Sequence, residues 1–335
     1  MTKVSLALGS GGARGYAHIG AIQVLEERGL EVVAVAGSSM GALVGGVYAA
    51  GELAAYTEWA VGLNQLDVLR LLDLSLSAPG AIRAERVLSR VRELLAGRRI
   101  EDLPIPFTAV ATDLLARREV WFQRGPVDEA ISASIAIPGI FPPVLLNGRM
   151  LVDGGLMDPV PVAPTAAVPA DLTIAISLGG ERSAGGAGPA GAAVVSGSAA
   201  ETAEPRPIDE WAERFRRGAA QALDTDMAKS LLARFPAAAE EAAARVTVPA
   251  AAAAAAAPAP PGLTKLDVMN QALEAMQDVV TRYRLAGSPP DLLVTIPKDA
   301  CRTLDFHRAA PMIEIGRRRM GEALDEAGFS ADRPG

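Results

Sequence analysis

Ser39 stands at the centre of Gly37-Ser38-Ser39-Met40-Gly41, a G-x-S-x-G arrangement between the apolar run Val32 to Ala36 and a stretch of small, aliphatic residues. A serine hydroxyl becomes a nucleophile when a neighbouring base takes its proton, and it must stand where a substrate carbonyl can reach it. A strand-to-helix turn flanked by glycines provides that position: the backbone can bend sharply, and the hydroxyl projects at a helix N-terminus. Small residues also serve plain strand-helix packing, and Gly41, Gly45 and Gly46 would do so without any chemistry. The β-branched run before the serine and the apolar helix after it favour the site.

Two further groups bear on that serine. Gly9-Ser10-Gly11-Gly12-Ala13-Arg14-Gly15 places consecutive glycines where backbone N–H groups can converge on an oxyanion or a phosphate. The phosphate reading is weak because no Lys-Ser/Thr follows, and G-x-G-x-x-G begun at Gly9 ends on Arg14. An ordinary loop-to-helix turn is the alternative. Asp153, in Val152-Asp153-Gly154-Gly155, is a carboxylate flanked by glycines that could approach a hydroxyl closely as its base. Asp-Gly-Gly turns without a catalytic role are common.

Histidine is scarce, with His18 inside the first expected helix near the glycine loop and His307 near the C-terminus. The order Ser39, Asp153, His307 is that of an α/β-hydrolase triad, but there the serine elbow follows several strands and here only the second. A Ser-Asp dyad is the better reading, with His307 a structural or capping residue. A single cysteine, Cys301, excludes an internal disulfide and reads as a small buried hydrophobe; with two histidines, no zinc-like cluster is expected. No cofactor is needed.

The elements that must hold these residues follow from periodicity. Val4 to Leu8 and Val32 to Ala36 read as strands, Gly15 to Arg28 and the segment from Ser39 as helices, an alternation that predicts a mainly parallel sheet covered by helices. Further helices are expected within Leu53 to Leu76, from Arg83 to Leu95, and from Pro126 to about Ile137; further strands at Phe107 to Thr112, Glu119 to Gln123 and Leu172 to Leu178. Asn147-Gly148 between Val144-Leu145-Leu146 and Met150-Leu151-Val152 signals a hairpin that delivers the chain to Asp153. Residues 179–262 are rich in Ala, Gly and Pro and read as an insertion with a helical island at about 208–245. A helix carrying Leu266, Met269, Leu273, Met276 and Val280 as a core stripe, a strand from Leu292 to Ile296 and a helix from Ala310 to Ala327 then complete the main domain, 1–178 with 263–328.

The three motifs in this order resemble the patatin-like phospholipase family, especially its bacterial members, along Val4 to Gly51 and Phe107 to Leu178, including AISASIAIPGIFPPV, with a weaker echo in LDFHRAAPMIEIG. The resemblance implies a three-layer α/β/α fold with a mainly parallel central sheet. It implies Ser39 as nucleophile, Asp153 as base, and Gly11 and Gly12 as the oxyanion hole, with Arg14, Gly15, Gly37, Gly41, Gly154 and Gly155 completing the motifs. The family loop usually opens with three glycines; here Ser10 takes the first place. The implied reaction is hydrolysis of carboxylic esters of phospholipids or lysophospholipids through an acyl-enzyme. A triad esterase using His307 is the second reading. A non-catalytic interaction protein is the third, and the intact motifs count against it.

With 335 residues, half of them hydrophobic, the chain can bury a large core, and a net charge of −7 gives no nucleic-acid footprint. The uncharged run Val32 to Gly51 is long enough to cross a bilayer, yet Glu31 and Glu52 bracket it with no aromatic belt or basic cluster, so strand plus helix is the reading. The apolar run near Met1 is too short for a signal peptide, so the expected compartment is the cytoplasm. The expected partner is a lipid ester. Peripheral contact at the inner face of the membrane would involve Ile208, Trp211 and Phe215, with packing against the main domain the slightly favoured alternative. Leu63, Leu66, Leu69 and Leu72 could flank an acyl groove, although ordinary core is the favoured expectation. Oligomeric state stays open.

Overall fold

A computed structural model describes residues 1–71, 85–180 and 265–329. The chain divides into two units, Met1–Pro189 with Lys265–Gly335, and Ala190–Thr264. The island at 208–245, including Ile208, Trp211 and Phe215, lies outside the described residues, as does Leu72.

Among the described residues eight strands form one sheet: β1 (Lys3–Leu8), β2 (Glu31–Ser38), β3 (Phe107–Asp113), β4 (Arg118–Phe122), β5 (Val144–Leu146), β6 (Arg149–Asp153), β7 (Leu172–Gly180) and β8 (Leu292–Pro297). The order is β5-β6-β3-β2-β1-β7-β8, with β4 on β3. The five strands β3, β2, β1, β7 and β8 run parallel, and β4, β5 and β6 add antiparallel pairs.

The alternation of side chains along a strand sorts the core into layers. Val4, Leu6 and Leu8 of β1 point into the main core with α1 (Ala17–Glu27), α2 (Met40–Ala49) and the last helix, Ala309–Glu326. Ala7 points the other way, into a second cluster with Val160, Val162 and Ala175 that is covered by Leu285 of the helix Lys265–Gly287. Helices therefore cover both faces, in the expected three-layer α/β/α arrangement. Among the described residues the remaining helices are α3 (Leu53–Val61), α4 (Gln65–Leu71), α5 (Glu85–Leu95) and α6 (Val127–Ser134), so Lys265–Gly287 is labelled α7 and Ala309–Glu326 α8.

The register on β3 positions the site. Ala109, Val110 and Ala111 pair with Phe122, Trp121 and Val120 of β4 on one side. On the other side Ala109 and Val110 pair with Gly37 and Ser38 of β2, and Ala111 pairs with Asp153 of β6. Since β2 runs parallel and β6 antiparallel to β3, their C-terminal ends meet head to head along one edge of β3. The residue after Ser38 is the nucleophile candidate, and the residue ending β6 is Asp153.

Several elements differ from expectation. The first helix opens with a 3-10 turn, Gly12–Tyr16, before α1 begins. Helix α6 stops at Ser134 and not near Ile137: Pro138 disfavours the helical conformation of Ile137, and the Ala136 carbonyl instead accepts from Asp153 N–H at 2.9 Å. Strand β7 continues through Gly179 and Gly180, where the linker was expected to begin. The segment from Leu53 holds two short helices, and Leu66 is 64% exposed, so its leucines are not a uniform core stripe. Met276 on α7 is 60% exposed, which breaks the stripe expected there. Cys301 is buried, as its composition suggests.

Candidate active site

The elbow comes first. Ser39 has φ 56° and ψ −124°, a left-handed conformation that costs a β-carbon residue about 1–3 kcal/mol and persists only where surrounding contacts over-determine it. Those contacts are identifiable. Ser39 N–H donates to Ser134 Oγ at 2.9 Å, and Ser134 Oγ donates to Val110 O at 2.6 Å. The preceding Ser38 Oγ donates to Asp158 O at 2.6 Å. Gly41 is required by close approach, since a Cβ there would sit 2.1 Å from Leu8 O. Gly37 stacks against Gly41, and Gly15 against the Met40 side chain.

Ser39 Oγ lies 2.5 Å from Asp153 Oδ2, a short hydroxyl-to-carboxylate hydrogen bond between residues 114 positions apart. The other carboxylate oxygen, Oδ1, accepts from Gly155 N–H at 2.7 Å. Asp153 is 2% exposed. Burial disfavours its charged form and pushes its pKa up to about 6, against the two hydrogen bonds that hold it down. A carboxylate poised there is a better base than an exposed aspartate. Gly154 sits against Val110 O, and Gly155 against the Ser10 side chain.

The glycine loop closes a third side. Gly9 N–H donates to Ile176 O, Ser10 N–H to Pro159 O and Ala13 N–H to Thr303 O. Gly11 and Gly12, between them, have no such backbone partner among the described residues. Gly12 adopts φ +57°, and a Cβ on it would lie 2.4 Å from Thr303 O. Arg14 is 8% exposed and works as a strut: Nε donates to Gly11 O at 3.3 Å, and its terminal nitrogens donate to Lys298 O at 3.0 Å and Glu274 Oε1 at 3.4 Å. His18 Nε2 donates to Gly9 O at 2.8 Å; burial holds its pKa down at about 4, so it is neutral and braces the loop.

Two cavities meet at this centre. The first touches Ser39 and Gly12 and is walled by Met40, Leu43, Leu63, Val68 and Phe306. Leu63 therefore faces the cavity, contrary to the favoured expectation of core. The second touches Gly11, Gly12 and Asp153 and is walled partly by Ser10, Arg14 and Glu274.

His307 lies in the turn Phe306–Arg308, and no hydrogen bond joins it to Ser39 or Asp153 among the described residues. The neighbouring Phe306 packs edge-on against Tyr16, 6.2 Å between ring centroids. Sequence reasoning missed Ser134 and Asp158, and it placed the helix now labelled α7 without its share in the wall of the site. Ser134 falls within AISASIAIPGIFPPV, yet nothing in its spacing marks it as the acceptor for Ser39 N–H. Asp158 is buried, its pKa pushed up to about 7 by burial against the pull of Arg284, whose guanidinium also holds Glu119 at 2.6 Å. Among the described residues no cluster could hold a metal, and no helix is long and apolar enough to cross a membrane.

A mainly parallel sheet carries a strained serine turn at a strand end, an aspartate in contact with it and a glycine loop beside both. The sequence pattern of the patatin-like phospholipase family matches residues 6–166. An uncharacterized NTE family protein of Mycobacterium tuberculosis is 48% identical over 343 aligned positions, spanning 96% of this chain and 91% of that protein. Human patatin-like phospholipase domain-containing protein 6 is 31% identical over 185 positions, 53% of this chain but only 13% of that much longer protein. Among solved structures, VipD from Legionella pneumophila superposes with a TM-score of 0.42 at 13% identity, covering 97% of this chain and 67% of that one. The chain belongs to the NTE family of patatin-like phospholipases, and its general activity is that of a lipid hydrolase.

Proposed function

We propose that the protein hydrolyses carboxylic esters of phospholipids or lysophospholipids through a Ser39–Asp153 dyad and an acyl-enzyme. The observation that carries this reading is the 2.5 Å contact between Ser39 Oγ and Asp153 Oδ2 at a strained turn. As Ser39 Oγ bonds to the ester carbon, its proton passes to Asp153 Oδ2 and the carbonyl electron pair moves onto oxygen. The free amides of Gly11 and Gly12 are the donors for that oxyanion. Collapse breaks the bond to the leaving alcohol, which takes the proton back from Asp153. Water then attacks the acyl-enzyme and gives a proton to Asp153; the fatty acid departs as Ser39 recovers it. The apolar cavity at Ser39 takes the acyl chain. No metal or cofactor enters these steps, and the substrate is met at a lipid surface by peripheral contact from the cytoplasm.

Fluorophosphonate labelling with peptide mapping tests the reading. Label is expected on Ser39, lost in Ser39→Ala, strongly reduced in Asp153→Asn and retained in His307→Ala. Dependence on His307 would favour the triad, and an unlabelled native chain would remove the nucleophile from the reading altogether.

A further inference from the structure

The two cavities divide at Gly12, and the dyad chemistry proposed above assigns their roles. The carboxyl that receives the Ser39 proton must deliver it to the departing alkoxide, so the leaving group passes along the wall that holds Asp153. The cavity containing Asp153 is thus the alcohol side, and its polar lining comes partly from α7, far away in sequence.

We propose that this cavity is the leaving-group subsite and that Glu274 makes it select head groups whose outer end donates hydrogen bonds and carries no net negative charge, over anionic head groups. The inference rests on the Ser39–Asp153 reading. The charge inventory of the wall supports it. Arg14, its cation, is 9% exposed at the side chain and already spent on Gly11 O, Lys298 O and Glu274 Oε1, so it presents little to a phosphate. Lys298, on the adjoining wall, is paired with Asp278. Glu274 is 41% exposed at its side chain and bonds Arg14 through Oε1 alone, which leaves Oε2 as a charged acceptor with no protein partner among the described residues. Gln277, one helical turn on, and Ser10 add neutral hydrogen-bonding groups. An ammonium or hydroxyl finds acceptors here; a phosphomonoester dianion meets the free oxygen of Glu274 and the carboxyl of Asp153, while the nearby cations Arg14 and Lys298 are each already paired with a carboxylate.

The test uses the full chain and three substrates with the same palmitoyl group: monoacylglycerol, lysophosphatidylethanolamine and lysophosphatidic acid, in mixed micelles. The readout is the ratio of kcat/KM values, from which any general loss of activity cancels. The native protein is expected to favour the first two over the last by about tenfold or more, as expected for one like-charge contact. Glu274→Gln should bring the ratio towards unity and Glu274→Lys should invert it. Gln277→Glu, which adds a carboxylate to the same wall, should raise it. A native ratio near one, or a ratio unmoved by all three substitutions, overturns the inference. So does failure to hydrolyse any of the three esters while fluorophosphonate still labels Ser39, a result that leaves the nucleophile assignment standing. Loss of labelling itself overturns both.

Discussion

Asp153 is expected to cost the protein stability at the pH where the proposed dyad needs it ionised. Its folded pKa of about 6, against a reference of 3.8, means that the native state holds the proton more tightly than the unfolded chain. The stability gained from that proton is fully present below pH 3.8 and is lost as pH rises through 6. A shift of this size corresponds to about 3 kcal/mol, of which about 2 kcal/mol falls between pH ~4.5 and ~7.5. Asn at the same place can still accept from Gly155 N–H but has no charge to bury. The stability of Asp153→Asn minus that of the native chain should therefore grow by about 2 kcal/mol across that interval. Asp158 titrates in the same range but is common to both chains and cancels. Over the same interval native kcat/KM on a short-chain p-nitrophenyl ester should rise about tenfold from pH ~5 to ~7, following ionisation of Asp153, while the Asn variant should lose about 10²–10⁴-fold at every pH. Urea unfolding of both proteins at the two pH values, beside the kinetic profiles, checks each half. A stability gap that stays constant with pH, or an activity profile flat between pH ~5 and ~7, would refute burial of the carboxyl as the source of its basicity.

Ser134→Ala removes the acceptor for Ser39 N–H and the donor to Val110 O, leaving two buried backbone groups unpaired; a loss of about 1–3 kcal/mol and slower fluorophosphonate labelling are expected, read by urea unfolding and by labelling rate. Gly12→Ala places a Cβ against Thr303 O in a backbone region that alanine resists, so the amide should be displaced. The expected result is a fall in kcat of about 10²–10³-fold with a smaller change in KM, and equal losses in both would argue against an oxyanion role.

Much of the centre was legible because the backbone there restricts residue type. The bend at Ser39 requires glycine at positions 37 and 41, and the turn after β5 needs positive φ at Asn147 (50°) and Gly148 (74°), which the pair Asn-Gly announces. The layers were legible from period, since strands buried on both faces read as continuous apolar runs. What stayed hidden depends on distance. A leucine every third residue specifies a helical face but not what the face meets, so Leu63 proved to line a cavity and Leu66 to face solvent. Glu274 and Arg14 are 260 residues apart, and no local pattern foretells their meeting. Ser134 was hidden for the same reason: its role is defined by two backbone atoms on other elements, one in the turn after β2 and one on β3.

The head-to-head ending of β2 and β6 on β3 has a consequence for how freely this sequence can change. The spacing between Ser39 and Asp153 is set by the single peptide step from Val110 to Ala111, in a strand that supplies neither group. Loops on either side can lengthen or shorten over generations without disturbing the pair, because their ends are clamped to adjacent rungs. A one-residue slip within β3 would separate them at once and reverse every side chain between the two faces of the sheet. Tolerance to insertion and deletion should accordingly be lowest in the seven residues Phe107–Asp113, which contain no group that does chemistry.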